Sequence, residues 1–145
     1  MANTYTQIHL QFVFAVKYRD GLIHSSFKDE LYQYIAGIIK NHNHKLLAIN
    51  GMPDHVHVLF LQNPQKTITD IVKQIKGSSS HFMNRGEFIL EKFAWQTGYA
   101  AYSVSASVVE KVVEYIRNQK THHQKKTFSQ EYEEFLLAYG LDKHH

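Results

Sequence analysis

Lys45-Leu46-Leu47-Ala48-Ile49-Asn50-Gly51-Met52-Pro53-Asp54-His55-Val56-His57-Val58-Leu59-Phe60-Leu61-Gln62 reads as two strands and a turn. The runs 45–50 and 54–62 are rich in branched and aromatic residues, and Gly51-Met52-Pro53 between them marks a tight connection, so they form a hairpin. Upstream, in 5–18, Ile8, Leu10, Phe12, Phe14 and Val16 alternate with His9, Gln11, Val13 and Ala15. That period of two predicts a half-buried strand. Between strand and hairpin, Ser26 and Asp29 form a capping-box-like start, and Phe27, Leu31, Ile35, Ile38 and Ile39 recur at helical spacing as far as Asn41-His42-Asn43-His44.

Downstream of the hairpin, Thr67 and Asp70 open a second helix with Ile68, Ile71, Val72, Ile75, Phe82 and Met83 on its apolar face, closed by Asn84-Arg85-Gly86. A fourth extended segment around 93–104 carries Trp95, Tyr99 and Tyr102, aromatics that could stack bases but at strand positions are more often core. Ser107 with Glu110 starts a third helix that turns Val109, Val112, Val113 and Ile116 inward. The order strand, helix, strand, strand, helix, strand, helix predicts an α+β, ferredoxin-like (split β-α-β) domain, an antiparallel sheet with helices packed on one face. That fold hosts many functions and names none. Residues 1–120 are read as this domain and 121–145 as a tail, basic at first and helical around Tyr132 to Tyr139; His144 and His145 read as the remnant of an affinity tag.

Composition excludes several classes. The chain has 145 residues and no cysteine, so neither a disulfide framework nor a thiolate metal site is available. No apolar run approaches the length of a bilayer span, and Met1-Ala2-Asn3-Thr4-Tyr5-Thr6 lacks the regions of a signal peptide, so a cytoplasmic protein with no membrane partner is expected. A net charge of +3 suits a polyanionic partner without requiring one.

Two clusters carry chemistry. His55 and His57, two apart on a strand, project from one face while Val56 and Val58 project from the other. Two imidazoles so placed can share a divalent cation, given a third ligand. His-x-His alone also occurs where histidines merely hydrogen-bond on a sheet face. Tyr115 and Gln119, four apart, share a helix face at the edge of the apolar stripe. The Gln119 amide oxygen can complete a metal sphere, and oxygen with imidazole suits Mg²⁺ or Mn²⁺.

Pro53-Asp54-His55-Val56-His57 followed by Tyr115-x-x-x-Gln119 resembles the single-tyrosine HUH transposases of small insertion sequences, where U is a hydrophobic residue. This is the TnpA-like superfamily to which REP-associated tyrosine transposases are related. The opening strand, Lys76-Gly77-Ser78-Ser79 and Trp95-Gln96-x-Gly98-Tyr99 extend the resemblance over nearly the whole chain. It implies a metal-dependent enzyme that cuts and rejoins single-stranded DNA through a 5′-phosphotyrosine bond. His55, His57 and Gln119 would hold Mg²⁺ or Mn²⁺, and Tyr115 would be the nucleophile. It also implies a homodimer, with the tyrosine acting in cis or in trans, and DNA hairpins near element ends as the recognised feature.

Candidate phosphate contacts are Lys73, Lys76, Ser78, Ser79 and Arg85 on the second helix, and Arg117, Lys120, His122, His123, Lys125 and Lys126 near and beyond the tyrosine. Three alternatives share parts of this reading. A replication or plasmid-transfer nickase uses the same logic in larger chains. A non-catalytic nucleic-acid-binding module on the same fold needs no convergence of the four residues. A domesticated hairpin-repeat nickase would retain the chemistry without moving an element.

Overall fold

The computed structural model describes residues 5–119. The expected tail, with Lys120, His122, His123, Lys125, Lys126 and the final histidines, lies outside the described residues. Strand β1 (His9–Ala15) is followed by α1 (Lys28–Asn41), β2 (Lys45–Met52), β3 (His55–Leu61), α2 (Ile68–Arg85), β4 (Ala100–Val104) and α3 (Val109–Arg117). The sheet order is β2-β3-β1-β4 and every pairing is antiparallel, the split β-α-β topology. The expected fold class is therefore found.

Helix placement differs in one respect. Leu10, Phe12, Phe14, Val56, Val58 and Phe60 meet Leu31, Ile35 and Ile39 of α1 and Ile71, Val72 and Ile75 of α2 in the main core. By strand alternation, the opposite sheet face carries His55, His57 and Leu59. There Val112 and Ile116 of α3 pack with Leu59 and Ala48 in a second, smaller cluster. Only α1 and α2 share a face; α3 covers the other, because its stripe matches Leu59 and Ala48. Central strand β1 is buried along nearly its whole length, rather than on one face as its alternation suggests.

Local signals hold unevenly. The Thr67 side chain accepts a hydrogen bond from the Asp70 backbone N–H at 3.1 Å, the cap expected of α2. No side-chain cap forms at Phe27 before α1 or at Val108 before α3, so Ser26 and Ser107 do not act as expected. Trp95 is buried and bridges to Val16, whereas Tyr99 is exposed, outside the expected core. No helix among the described residues is long and apolar enough to cross a membrane.

The hairpin link is shorter than expected: β2 runs to Met52, leaving only Pro53 and Asp54 between the strands. Gly51 pairs with Val56, and a Cβ there would run into the His55 carbonyl oxygen and lie 2.9 Å from Val56 Cα. Both obstacles are backbone, so neither can swing aside. Gly51→Ala is expected to destabilise the fold by about 1–3 kcal/mol, as overpacked sites do, read from the urea midpoint at unchanged m-value.

Candidate active site

Strand β3 brings His55 and His57 to one face, 0% and 1% exposed, with ring centroids 5.1 Å apart. His55 has a close neighbour at each ring nitrogen. Its Nδ1–H donates to Asp54 Oδ1 at 2.7 Å, and its Nε2 lies 3.2 Å from Gln119 Oε1. Gln119 is fully buried although it follows the α3 C-cap residue Asn118, and its amide nitrogen donates to the Tyr115 carbonyl at 3.3 Å. That bond keeps the amide oxygen toward His55. The half-buried Tyr115 ring stands edge-on to His57, with centroids 5.8 Å apart. The four residues singled out in the sequence thus converge on one place.

The polar end of this cluster continues outward. Asp54 Oδ2 accepts from Arg19 at 3.0 Å, and Arg19 follows Tyr18 in a turn where both residues have left-handed backbones, φ 60° and 58°. Non-glycine residues rarely adopt that conformation, and two in succession fold the chain back on itself. Burial alone would raise the Asp54 pKa. The hydrogen bond from His55 outweighs it, together with the charge and hydrogen bond of Arg19, and the carboxyl is held down to about 2. A carboxyl whose folded value lies below its unfolded one stabilises above the unfolded pKa, and that stability is lost as pH falls through the folded pKa. In EDTA, wild type is expected to lose stability between pH 3.8 and about 2 more steeply than Asp54→Asn, measured by urea unfolding at each pH.

Can these residues hold a cation? A carboxylate only accepts, so His55 Nδ1 carries the proton, and a neutral ring then presents its lone pair at Nε2. That lone pair faces the Gln119 oxygen, a second acceptor. Two acceptors side by side suit a cation between them: oxygens and nitrogens bound at about 2.1 Å and at right angles lie about 3 Å apart. The observed 3.2 Å fits. Among the described residues no group of three His, Cys, Asp or Glu gathers for a metal, so a cation here would use two imidazoles and an amide.

Beside the imidazoles, one strand over, lies a cavity of about 270 Å³ lined by Val13, Ala15, Arg19, Gln96, Gly98 and Tyr99, among others. Val13 and Ala15 pair with His57 and His55 in the β1–β3 register, so the cavity floor adjoins the site. Lys76 Nζ donates to the Gln96 and Gly98 carbonyls at 2.7 and 2.8 Å and ties down the strap that walls it.

The other candidate contacts do not gather here. Lys73, Ser78 and Arg85 belong to α2 on the far face of the sheet. Buried Ser79 accepts from Trp95 Nε1 at 2.9 Å, an internal bond. Arg117 is exposed at the end of α3, its carbonyl accepting from Asn50 at 3.0 Å. Sequence reading assigned no role to Gln11, Arg19 or Asp54. Gln11 signalled itself only as a polar residue in the apolar rhythm of β1, and Asp54 by adjoining His55.

Known proteins share this sequence pattern and fold. ISDra2 transposase TnpA of Deinococcus radiodurans is 28% identical over 118 residues, covering 78% of this chain and 84% of that protein. A crystal structure of a transposase-assigned protein from the same species superposes with a TM-score of 0.66 at 28% identity, over 82% of this chain and 96% of that one. A REP-associated tyrosine transposase solved on a REP hairpin shares the fold, with a TM-score of 0.63 at 17% identity, over 85% and 73% of the two chains. Residues 4–119, the span that holds the histidine pair, Tyr115 and Gln119, match the profile of the family described as "Transposase IS200 like", and the chain belongs to that family.

Proposed function

We propose that this transposase-family chain cuts and rejoins single-stranded DNA through a covalent bond to Tyr115, with His55, His57 and Gln119 holding Mg²⁺ or Mn²⁺. The observation that carries the proposal is the placement of Gln119 Oε1 3.2 Å from His55 Nε2 beside the Tyr115–His57 ring contact. Hairpin DNA is the substrate to try first, since a protein of the same fold was solved on one.

The bound cation would supply Lewis-acid stabilisation of the charge that builds on the phosphate. The residues of the chain do the rest. Asp54 fixes the His55 ring, and the burial of both imidazoles excludes water from their ring nitrogens. The Tyr115 oxygen attacks phosphorus, the Tyr115–phosphate bond forms, the bond to the 3′ oxygen breaks, and the phenol proton ends on the released 3′-hydroxyl. Attack by another 3′-hydroxyl reverses these steps and joins new ends without a nucleotide cofactor, because the phosphotyrosine conserves the bond. Lys73, Lys76, Ser78, Arg85, Arg117 and Lys120 are proposed phosphate contacts, giving salt-sensitive affinity. The working unit is proposed to be a cytoplasmic homodimer.

The test is a denaturing gel of the protein with end-labelled single-stranded DNA from the flanks of its gene, in Mg²⁺ or in EDTA. A covalent adduct formed in Mg²⁺ and absent in EDTA is expected. Hairpin binding by gel shift with no adduct in either condition would sink the catalytic reading and favour a binding module.

A further inference from the structure

Gln11 is a polar residue where packing asks for an apolar one. It lies on central strand β1, is fully buried, and stands opposite Leu59 of β3 on the histidine face. Its β1 neighbour on that face, Val13, pairs with His57, so Gln11 reaches His57 diagonally, a span that suits a long side chain. Its amide nitrogen is 3.0 Å from His57 Nδ1, while its amide oxygen is buried with no hydrogen-bond partner among the described residues.

A half-turn of the amide exchanges its oxygen and nitrogen without moving any other atom. With nitrogen toward His57, Nδ1 accepts and the ring proton sits on Nε2. With oxygen toward His57, Nδ1–H donates and Nε2 keeps its lone pair. Only the second state lets the ring ligate through Nε2, and it is the state that Asp54 imposes on His55. Partners on the far nitrogen of a metal-bound imidazole commonly set its tautomer and rotation.

We propose that Gln11 is the positioning residue of His57, its amide oxygen taking the Nδ1 proton so that Nε2 is offered to the cation shared with His55 and Gln119. This rests on the proposed metal site. The two histidines would then be oriented by different chemistries: a charged carboxylate from the hairpin link for His55, and a neutral, reversible amide from the neighbouring strand for His57.

The test compares wild type, Gln11→Met, which keeps length without a strong acceptor, and Gln11→Glu, which can only accept. Mn²⁺ affinity is read by electron paramagnetic resonance, and the His57 tautomer by ¹⁵N–¹H correlation of the metal-free protein. Gln11→Met is expected to weaken Mn²⁺ binding roughly 10- to 100-fold and to change the tautomer populations of His57, with Gln11→Glu binding near wild type. Equal affinity and equal tautomer populations in wild type and Gln11→Met would overturn the proposal. Equal weakening by Met and Glu would reduce Gln11 to packing and overturn it as well. Should Gln11→Glu not fold, the Met variant decides alone. If wild type binds no Mn²⁺, the metal site itself fails, while the metal-free tautomer comparison still judges Gln11 separately.

Discussion

Tyr115→Phe is expected to form no covalent adduct with single-stranded DNA, a loss of at least about 10³-fold, as removal of a nucleophile produces, while its Mn²⁺ affinity and fold stay near wild type. The change deletes one oxygen and leaves the ring. The edge-on contact with His57 belongs to that ring, and Gln119 is held by the Tyr115 backbone carbonyl rather than its hydroxyl. The ring contact to His57 and the backbone bond to Gln119 both survive the change. Adduct that persists at wild-type yield in the Phe protein would assign the attack to another tyrosine.

His55→Ala should fail differently. It removes one of three proposed ligands and strips Asp54 of its 2.7 Å partner and Gln119 of its 3.2 Å neighbour. Loss of an outer partner alone costs roughly 10- to 100-fold in metal affinity, so loss of the ligand should cost more than about 100-fold, read by Mn²⁺ titration. Adduct formation should fall with it, whereas hairpin binding in EDTA should persist. Retained Mn²⁺ affinity in His55→Ala would place the cation elsewhere. Together the two variants separate attack from metal holding: one keeps the ion and loses the bond to DNA, the other loses the ion.

The fold was largely legible before the structure because its signals are periodic. The rhythm of β1, the hairpin around Pro53 and the Thr67 cap each report a local choice, and the order of elements then admits few topologies. The side of the sheet that α3 takes was not legible. Its stripe of Val112 and Ile116 says that it packs, but Leu59 and Ala48 present a second apolar surface that no single-strand pattern separates from the first. Of the site, His55 with His57 and Tyr115 with Gln119 were legible as pairs, since spacing on a strand or helix fixes a shared face. Their meeting across 64 positions was available only through resemblance to a family, because it depends on α3 crossing the sheet. Gln11 and Arg19 were hidden for a related reason. One acts through a diagonal across two strands, the other through a left-handed turn that no residue type at 18 and 19 advertises.

The two-residue link between β2 and β3 makes the site digital. Strand β3 offers its side chains alternately to two environments, one beneath α3 and one against Phe12 and Phe14. Adding or deleting one residue in that link would index the strand by a single step and exchange the two sets completely. Val56 and Val58 would then lie under the tyrosine helix, and two imidazoles would be driven into the aromatic core. Only a bulge of the kind that β2 shows between Leu46 and Ala48 could absorb the step, so variants of this chain should keep the count between Gly51 and His55 or compensate for it within the sheet.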